Sequence, residues 1–132
     1  MNMNNPAHAY SSMQVHTGVS SASPHRLVQM LFEGALERIA QAKGAMLQKQ
    51  VERKGQLIGK AVDIIGGLQG ALEDKGEGNL SANLDALYEY SIRRLLEANR
   101  QNDTSLLDEV SGLLHEVKGA WDAIADEVAD HA

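Results

Sequence analysis

At 132 residues the chain is long enough for one domain around a single core, since chains of this size bury roughly two-thirds of their unfolded surface. It contains no cysteine, which excludes a disulfide framework and a thiolate metal site. Its net charge of −6 has the wrong sign for general phosphate binding, and with one Trp, one Phe and three Tyr no aromatic platform for bases is expected, so nucleic acid is not a predicted partner.

Residues 1 to 22 are rich in Asn, Ser and Ala and carry no Asp, Glu, Lys or Arg. They read as a flexible N-terminal arm able to form a short capping segment, with Tyr10, Met13, Val15 and Val19 as its apolar exceptions. The opening "MNMNNPAHAYSSMQVHTG" lacks the basic-then-apolar order of a secretory signal, and no segment approaches the roughly 20 apolar residues of a membrane span. A cytoplasmic protein without membrane insertion is expected. Residues 23 to 132 read as the folded domain.

Ser23-Pro24 supplies a capping hydroxyl and a proline at the first helical position, so the first predicted helix starts there. Val28, Phe32, Ala35, Ile39, Ala42 and Met46 step along it by four and three, while Leu27, Met30, Leu31 and Leu36 widen the stripe beyond one face. A second helix is predicted from Val51 to Lys75, with Leu57, Ala61, Ile64, Leu68 and Ala71 on one row and Ile58, Ile65 and Leu72 beside it. "KGEGN" then breaks the pattern, and Asn79 is expected to cap a third helix over Leu80 to Arg100. That helix centres on Leu84, Leu87, Ser91 and Leu95, flanked by Tyr88, Ile92 and Leu96. After "QNDTS", where Asp103, Thr104 or Ser105 can cap, a fourth helix carries the ladder Leu107, Val110, Leu114, Val117, Trp121, Ile124 and Val128. Long helices joined by short turns must run antiparallel, so the expected fold is all-α, an antiparallel four-helix bundle.

The second helix holds Gly55, Gly59, Gly66, Gly67 and Gly70, each interior glycine costing about 0.5 to 1 kcal/mol against alanine. Two explanations stay open: close packing against a neighbouring helix, or a bare surface that another backbone can approach. The "KQVERKGQLIGK" stretch is locally basic and reads as a solvated helix face. Tyr88 and Tyr90 are two apart and cannot both face inward; Tyr88 is expected inside and Tyr90 partly exposed. Trp121 is expected in the core. Arg93 and Arg94 are expected to pair with Glu89 and Glu97 at helical spacing, or with acidic groups of a partner.

Catalytic chemistry has no visible basis. Dinuclear metal bundles need Glu-x-x-His on two helices, and that motif is missing. Glu127 and His131 at the far C-terminus read as a frayed, solvated pair. His25 falls in the first helical turn and is expected exposed, while His8, His16 and His115 have no Ser or Asp constellation around them. No HExxH, GxSxG or P-loop pattern occurs. No enzyme activity, no cofactor and no metal are therefore expected. What remains is apolar surface wider than one core seam, which calls for an oligomer or a partner segment.

Four blocks, "ASPHRLVQMLFEGA" (22–35), "KAVDIIGGLQGAL" (60–72), "NLDALYEYSIRRLLEANRQND" (83–103) and "EVSGLLHEVKGAW" (109–121), together resemble the flagellin-specific export chaperones, the FliS family. The resemblance implies a cytoplasmic antiparallel bundle that binds the disordered C-terminal segment of flagellin, prevents premature polymerisation and aids delivery to the flagellar type III secretion apparatus, with the export gate a further partner of the loaded complex. It also implies that the arm around Tyr10 folds over the binding surface when no client is present. Glycine in the second helix is denser than the family pattern.

The candidate client-binding residues are Tyr10 and Val15 on the arm, Leu57, Ile58, Ile65, Leu68 and Leu72 on the second helix, and Leu84, Leu87, Tyr88 and Ile92 on the third. Each helical candidate is equally readable as plain core. The expected assembly is a monomer or weak homodimer. The alternatives are a homo-oligomeric structural bundle without a client, whose dimer would hide the wide stripes, and a small enzyme or metal protein.

Overall fold

A computed structural model describes residues 22–72 and 78–131. Four helices follow in order: α1 (Pro24–Leu47), α2 (Val51–Gly70), α3 (Gly78–Gln101) and α4 (Thr104–His131). Each packs on its neighbour in the chain, and α4 closes on α1, so the four form a ring around one core. This is the expected antiparallel bundle, and the described residues contain no strand.

The start of α1 follows from its first residues. Ser23 Oγ accepts the Arg26 N–H at 3.1 Å, and Pro24 occupies the position where no backbone donor is needed. Its end relies on a left-handed residue: Lys49 adopts φ 59°, and the Gln50 N–H reaches back to the Ala45 carbonyl at 2.9 Å. The α3–α4 turn repeats the device, with Asn102 at φ 54° and the Asp103 N–H on the Ala98 carbonyl at 3.2 Å. Both hairpins are thereby held to three or fewer linking residues, which leaves the helices no path but antiparallel. Asp103 is the cap of α4: its Oδ1 accepts from the Ser105 N–H at 2.9 Å and the Ser105 hydroxyl at 2.6 Å.

The described part of α2 ends at Gly70, short of the expected Lys75, with residues 73–77 outside the described residues. Helix α3 begins at Gly78 rather than Leu80, so Asn79 lies inside the first turn instead of capping it.

The core follows the apolar rows. Phe32, Ile39, Ile58, Ile65, Leu68, Leu95, Leu107, Val110 and Leu114 are buried. One polar member, Ser91, is fully buried with its hydroxyl unpartnered. The basic stretch on α2 is only partly the solvated face expected: Lys49, Arg53 and Lys60 are exposed, but Lys54 is 5% exposed. Its Nζ donates to the Asn99 carbonyl at 2.9 Å and to Asn102 Oδ1, which satisfies acceptors at the C-terminal end of α3.

At four of the five α2 glycines, space rather than close packing surrounds the missing side chain. A Cβ added at Gly59, Gly66 or Gly70 would meet nothing within 4 Å, and at Gly55 it would only reach Asn99 Nδ2 at 4.0 Å. A closer interhelical approach is on α1, where a Cβ at Gly34 would meet Ile64 Cδ1 at 3.4 Å.

Polar contacts fasten α4 to its two neighbours. Lys43 on α1 meets Asp108 at 2.9 Å, and Gln29 donates to Asp122 at 2.7 Å. On the other side Tyr90 donates to Glu109 at 2.7 Å and Arg94 Nε to the same carboxylate at 2.8 Å. Arg94 therefore bridges to α4 rather than pairing with Glu89 or Glu97 along its own helix; Glu97 instead takes Arg100 and Gln101. Among the described residues no helix is long and apolar enough to cross a membrane.

Candidate functional site

The core does not fill one end of the bundle. There the first turns of α1, the last turn of α2, the first half of α3 and the second half of α4 surround a cavity of about 540 Å³. From α1 come Pro24, His25, Val28 and Phe32; from α2 comes Leu68, with Ala71 and Leu72 just past its end. Helix α3 adds Leu80, Ser81, Leu84 and Tyr88, and α4 adds Val117 and Trp121. All four helices contribute because antiparallel packing brings the beginnings of α1 and α3 beside the ends of α2 and α4.

The lining is almost entirely hydrocarbon and aromatic. Phe32 and Tyr88 meet with ring centroids 6.4 Å apart on the inner wall. Leu80 at the rim is 70% exposed, an apolar side chain that nothing among the described residues covers. Burial pushes the Tyr88 phenol up to about 12, so it stays neutral at physiological pH. Trp121 is half-buried rather than wholly in the core. Its indole lies flat on the His25 ring, centroids 4.3 Å apart and planes 5° apart, while Nε1 donates to the His25 carbonyl at 3.0 Å. His25 is consequently half-buried, against the exposed position expected for a first-turn residue. Next in sequence to Trp121, Asp122 accepts from Lys118 at 2.7 Å and, across to α1, from Gln29. The Lys118 hydrogen bond, then that of Gln29, holds the Asp122 carboxyl below its usual range against the opposing effect of desolvation.

The sequence-predicted residues divide by position. Leu68, Leu72, Leu84 and Tyr88 come together on the cavity wall. Ile58 and Ile65 are fully buried in the core, Leu87 and Ile92 are half-buried against it, and Leu57 sits in a separate groove between α1 and α2. Tyr10 and Val15 lie outside the described residues. Sequence reasoning missed the contributions of α1 and α4, because Val28, Phe32, Val117 and Trp121 sit on strict apolar ladders that look like ordinary core. The available signal was pairing: an α1 starting at Pro24 and antiparallel to α4 must bring His25 and Val28 beside Val117 and Trp121. Among the described residues no group of three or more His, Asp or Glu could hold a metal ion.

What this arrangement offers is apolar area open to solvent, with His25 and Ser81 as polar side chains in its wall. The sequence model of the family described as "Flagellar protein FliS" matches residues 4–128, a span that contains every residue of the cavity wall. The chain belongs to the FliS family. It is 59% identical over 116 residues to the flagellar secretion chaperone FliSB of Pseudomonas aeruginosa, covering 88% of this chain and 92% of that protein. It is 43% identical over 119 residues to the flagellar secretion chaperone FliS of Vibrio cholerae, covering 90% and 88% of the two chains. To the FliS of Salmonella typhimurium it is 41% identical over 122 residues, covering 92% and 90%. The FliS resemblance read from the four sequence blocks is thus borne out over nearly the whole chain.

Proposed function

We propose that this chain is a cytoplasmic flagellar secretion chaperone that binds the disordered C-terminal segment of flagellin, keeps it from polymerising early and hands it to the flagellar export apparatus. The observation that carries this reading is the apolar cavity of about 540 Å³ walled by all four helices in a FliS-family bundle. A client that is disordered when free loses about 2 to 5 kcal/mol or more in ordering. Apolar burial at about 25 cal/mol per Å² offsets that loss without demanding a fixed polar geometry. Leu68, Leu72, Leu84 and Tyr88 form the anchor site in this reading. Ile58 and Ile65 support it from the core, and Leu57, Leu87 and Ile92 extend the contact along α2 and α3.

The arm has a place in the same scheme. The cavity wall includes Pro24 and His25, which follow the arm directly in the sequence, so chain connectivity alone keeps Tyr10, Met13 and Val15 within a short tether of the site. A short tether gives an effective concentration that can reach about a millimolar, enough for weak contacts to cover apolar surface until flagellin competes them away.

The test is isothermal titration of the full chain with a peptide from the C-terminal end of the flagellin of the same cell. A one-to-one isotherm with strongly negative heat capacity is expected. Absence of heat at several temperatures, with no binding by fluorescence anisotropy, would overturn the flagellin reading. Deleting residues 1–18 should raise the client on-rate; an unchanged on-rate removes the arm from the scheme.

A further inference from the structure

A second concave region lies on the outside of the α1–α2 pair, away from the cavity. It encloses about 330 Å³ and is lined by Glu37, Arg38 and Gln41 of α1 and by Arg53, Gln56, Leu57 and Lys60 of α2. The spacing of Arg53, Gln56 and Lys60 is three and four residues, which puts them on one face of α2. Three cationic side chains and two side-chain amides therefore face one space against a single carboxylate.

That carboxylate does little to neutralise them. Glu37 reaches Arg38 at 3.4 Å with 63% of its own side chain exposed, a pairing that water screens strongly. Arg53 and Lys60 make no ion pair among the described residues. The rest of the protein has the opposite character, with a net charge of −6, so a concave positive surface is a local inversion of the molecule's field. Leu57, 7% exposed, forms the apolar part of the lining.

We propose that this groove docks an acidic peptide segment of a partner protein, with carboxylates on Arg38, Arg53 and Lys60 and an apolar residue over Leu57. Arginine favours this occupant because its planar fork pairs with a carboxylate through two hydrogen bonds. A nucleic-acid strand is disfavoured because its charge extends well beyond the groove and meets the acidic remainder of the surface. The site uses none of the cavity-wall residues; Leu57 is the one residue it shares with the extended flagellin contact, and the Arg53 and Lys60 variants, which leave that contact untouched, tell the two readings apart.

The probe is a short fluorescein-labelled peptide in which glutamate pairs flank single leucines, followed by anisotropy against the full chain. Its glutamine counterpart is the control. The acidic peptide should bind, and its affinity should fall about tenfold between low salt and about 0.3 M NaCl. Arg53→Glu with Lys60→Glu should abolish binding, and Arg53→Gln with Lys60→Gln should weaken it by an intermediate amount. Arg100→Glu, an exposed charge at the end of α3, should leave it unchanged. All variants are first matched to the parent by circular dichroism. Equal binding of the glutamine peptide, or equal binding by the charge-reversed chain, overturns the proposal. So does tighter capture of a labelled single-stranded oligonucleotide at the same residues, or a salt-sensitive dimer that Arg53→Glu dissolves.

Discussion

The two ends of the bundle are built from similar residues and finished differently. At the end where α1 turns into α2 and α3 into α4, Ala45, Met46, Leu57, Ala98, Leu106 and Leu107 are all buried. Two left-handed turns and the Lys54 amine satisfy the backbone there. At the opposite end the same kinds of side chain, Val28, Leu72, Leu84, Val117 and Trp121, are only half-buried around an open cavity. Stability is concentrated where packing is complete, and capacity for a partner where it is not, because unpaired apolar surface is free energy still to be gained by binding.

Mutations should separate the two ends. The largest effect is expected from Leu107→Ala, which empties a fully buried site at the closed end. It should destabilise by about 2 to 5 kcal/mol and lower Tm by about 10 °C, and a smaller loss would mean that this end is less tightly packed than described. Lys54→Ala comes next: leaving the Asn99 carbonyl and the Asn102 amide unpaired in a part-buried site should cost about 1 to 3 kcal/mol by urea unfolding. Leu84→Ala at the open end should reverse the pattern, weakening the flagellin peptide about tenfold in titration while Tm moves by only a few degrees. If Leu84→Ala cost as much stability as Leu107→Ala, the contrast between the ends would be gone.

Smaller effects test the fastenings. Lys49 holds a positive φ of 59° that a β-carbon disfavours, so Lys49→Gly should stabilise by about 0.5 to 1 kcal/mol in urea unfolding, unlike glycine placed inside a helix. Glu109 reports on acid. The Tyr90 hydroxyl, then Arg94, hold its carboxyl below the usual range, so the stability it contributes is complete above about pH 4.3 and is lost as pH falls through its lower folded value. Asp103 and Asp122 shift in the same direction. Tm should therefore drop on acidification in that window, and less steeply in Glu109→Gln; parallel curves for the two proteins would remove Glu109 from the acid response.

Much of this was legible in the residues. Ser23 and Pro24 announced the start of α1, and the period of Leu107, Val110 and Leu114 announced α4. The two-residue offset of Tyr88 and Tyr90 assigned one inward and the other to the edge, as found. The candidate site was legible only in part. Leu68, Leu72, Leu84 and Tyr88 were named, yet periodicity gave them no distinction from Ile58 and Ile65, since a helical stripe looks the same whether its neighbours fill the space or stop short of it. The helix-two glycines remained ambiguous for a related reason: only the positions of surrounding atoms show that Gly59, Gly66 and Gly70 face open space.

The sequence by itself determined the helices, the N-terminal caps of α1 and α4, the antiparallel order and the family, because each depends on local spacing, short turns or residue identity along the chain. Tertiary structure alone decided that Trp121 lies on His25 across the α1–α4 contact, that Arg94 reaches Glu109 on α4 rather than its own helix, and that Lys54 is buried against the end of α3. It also decided where the core stops filling the bundle. Those outcomes depend on the register and separation of helices far apart in the chain, quantities set by the whole set of packed side chains and by no single stretch of residues.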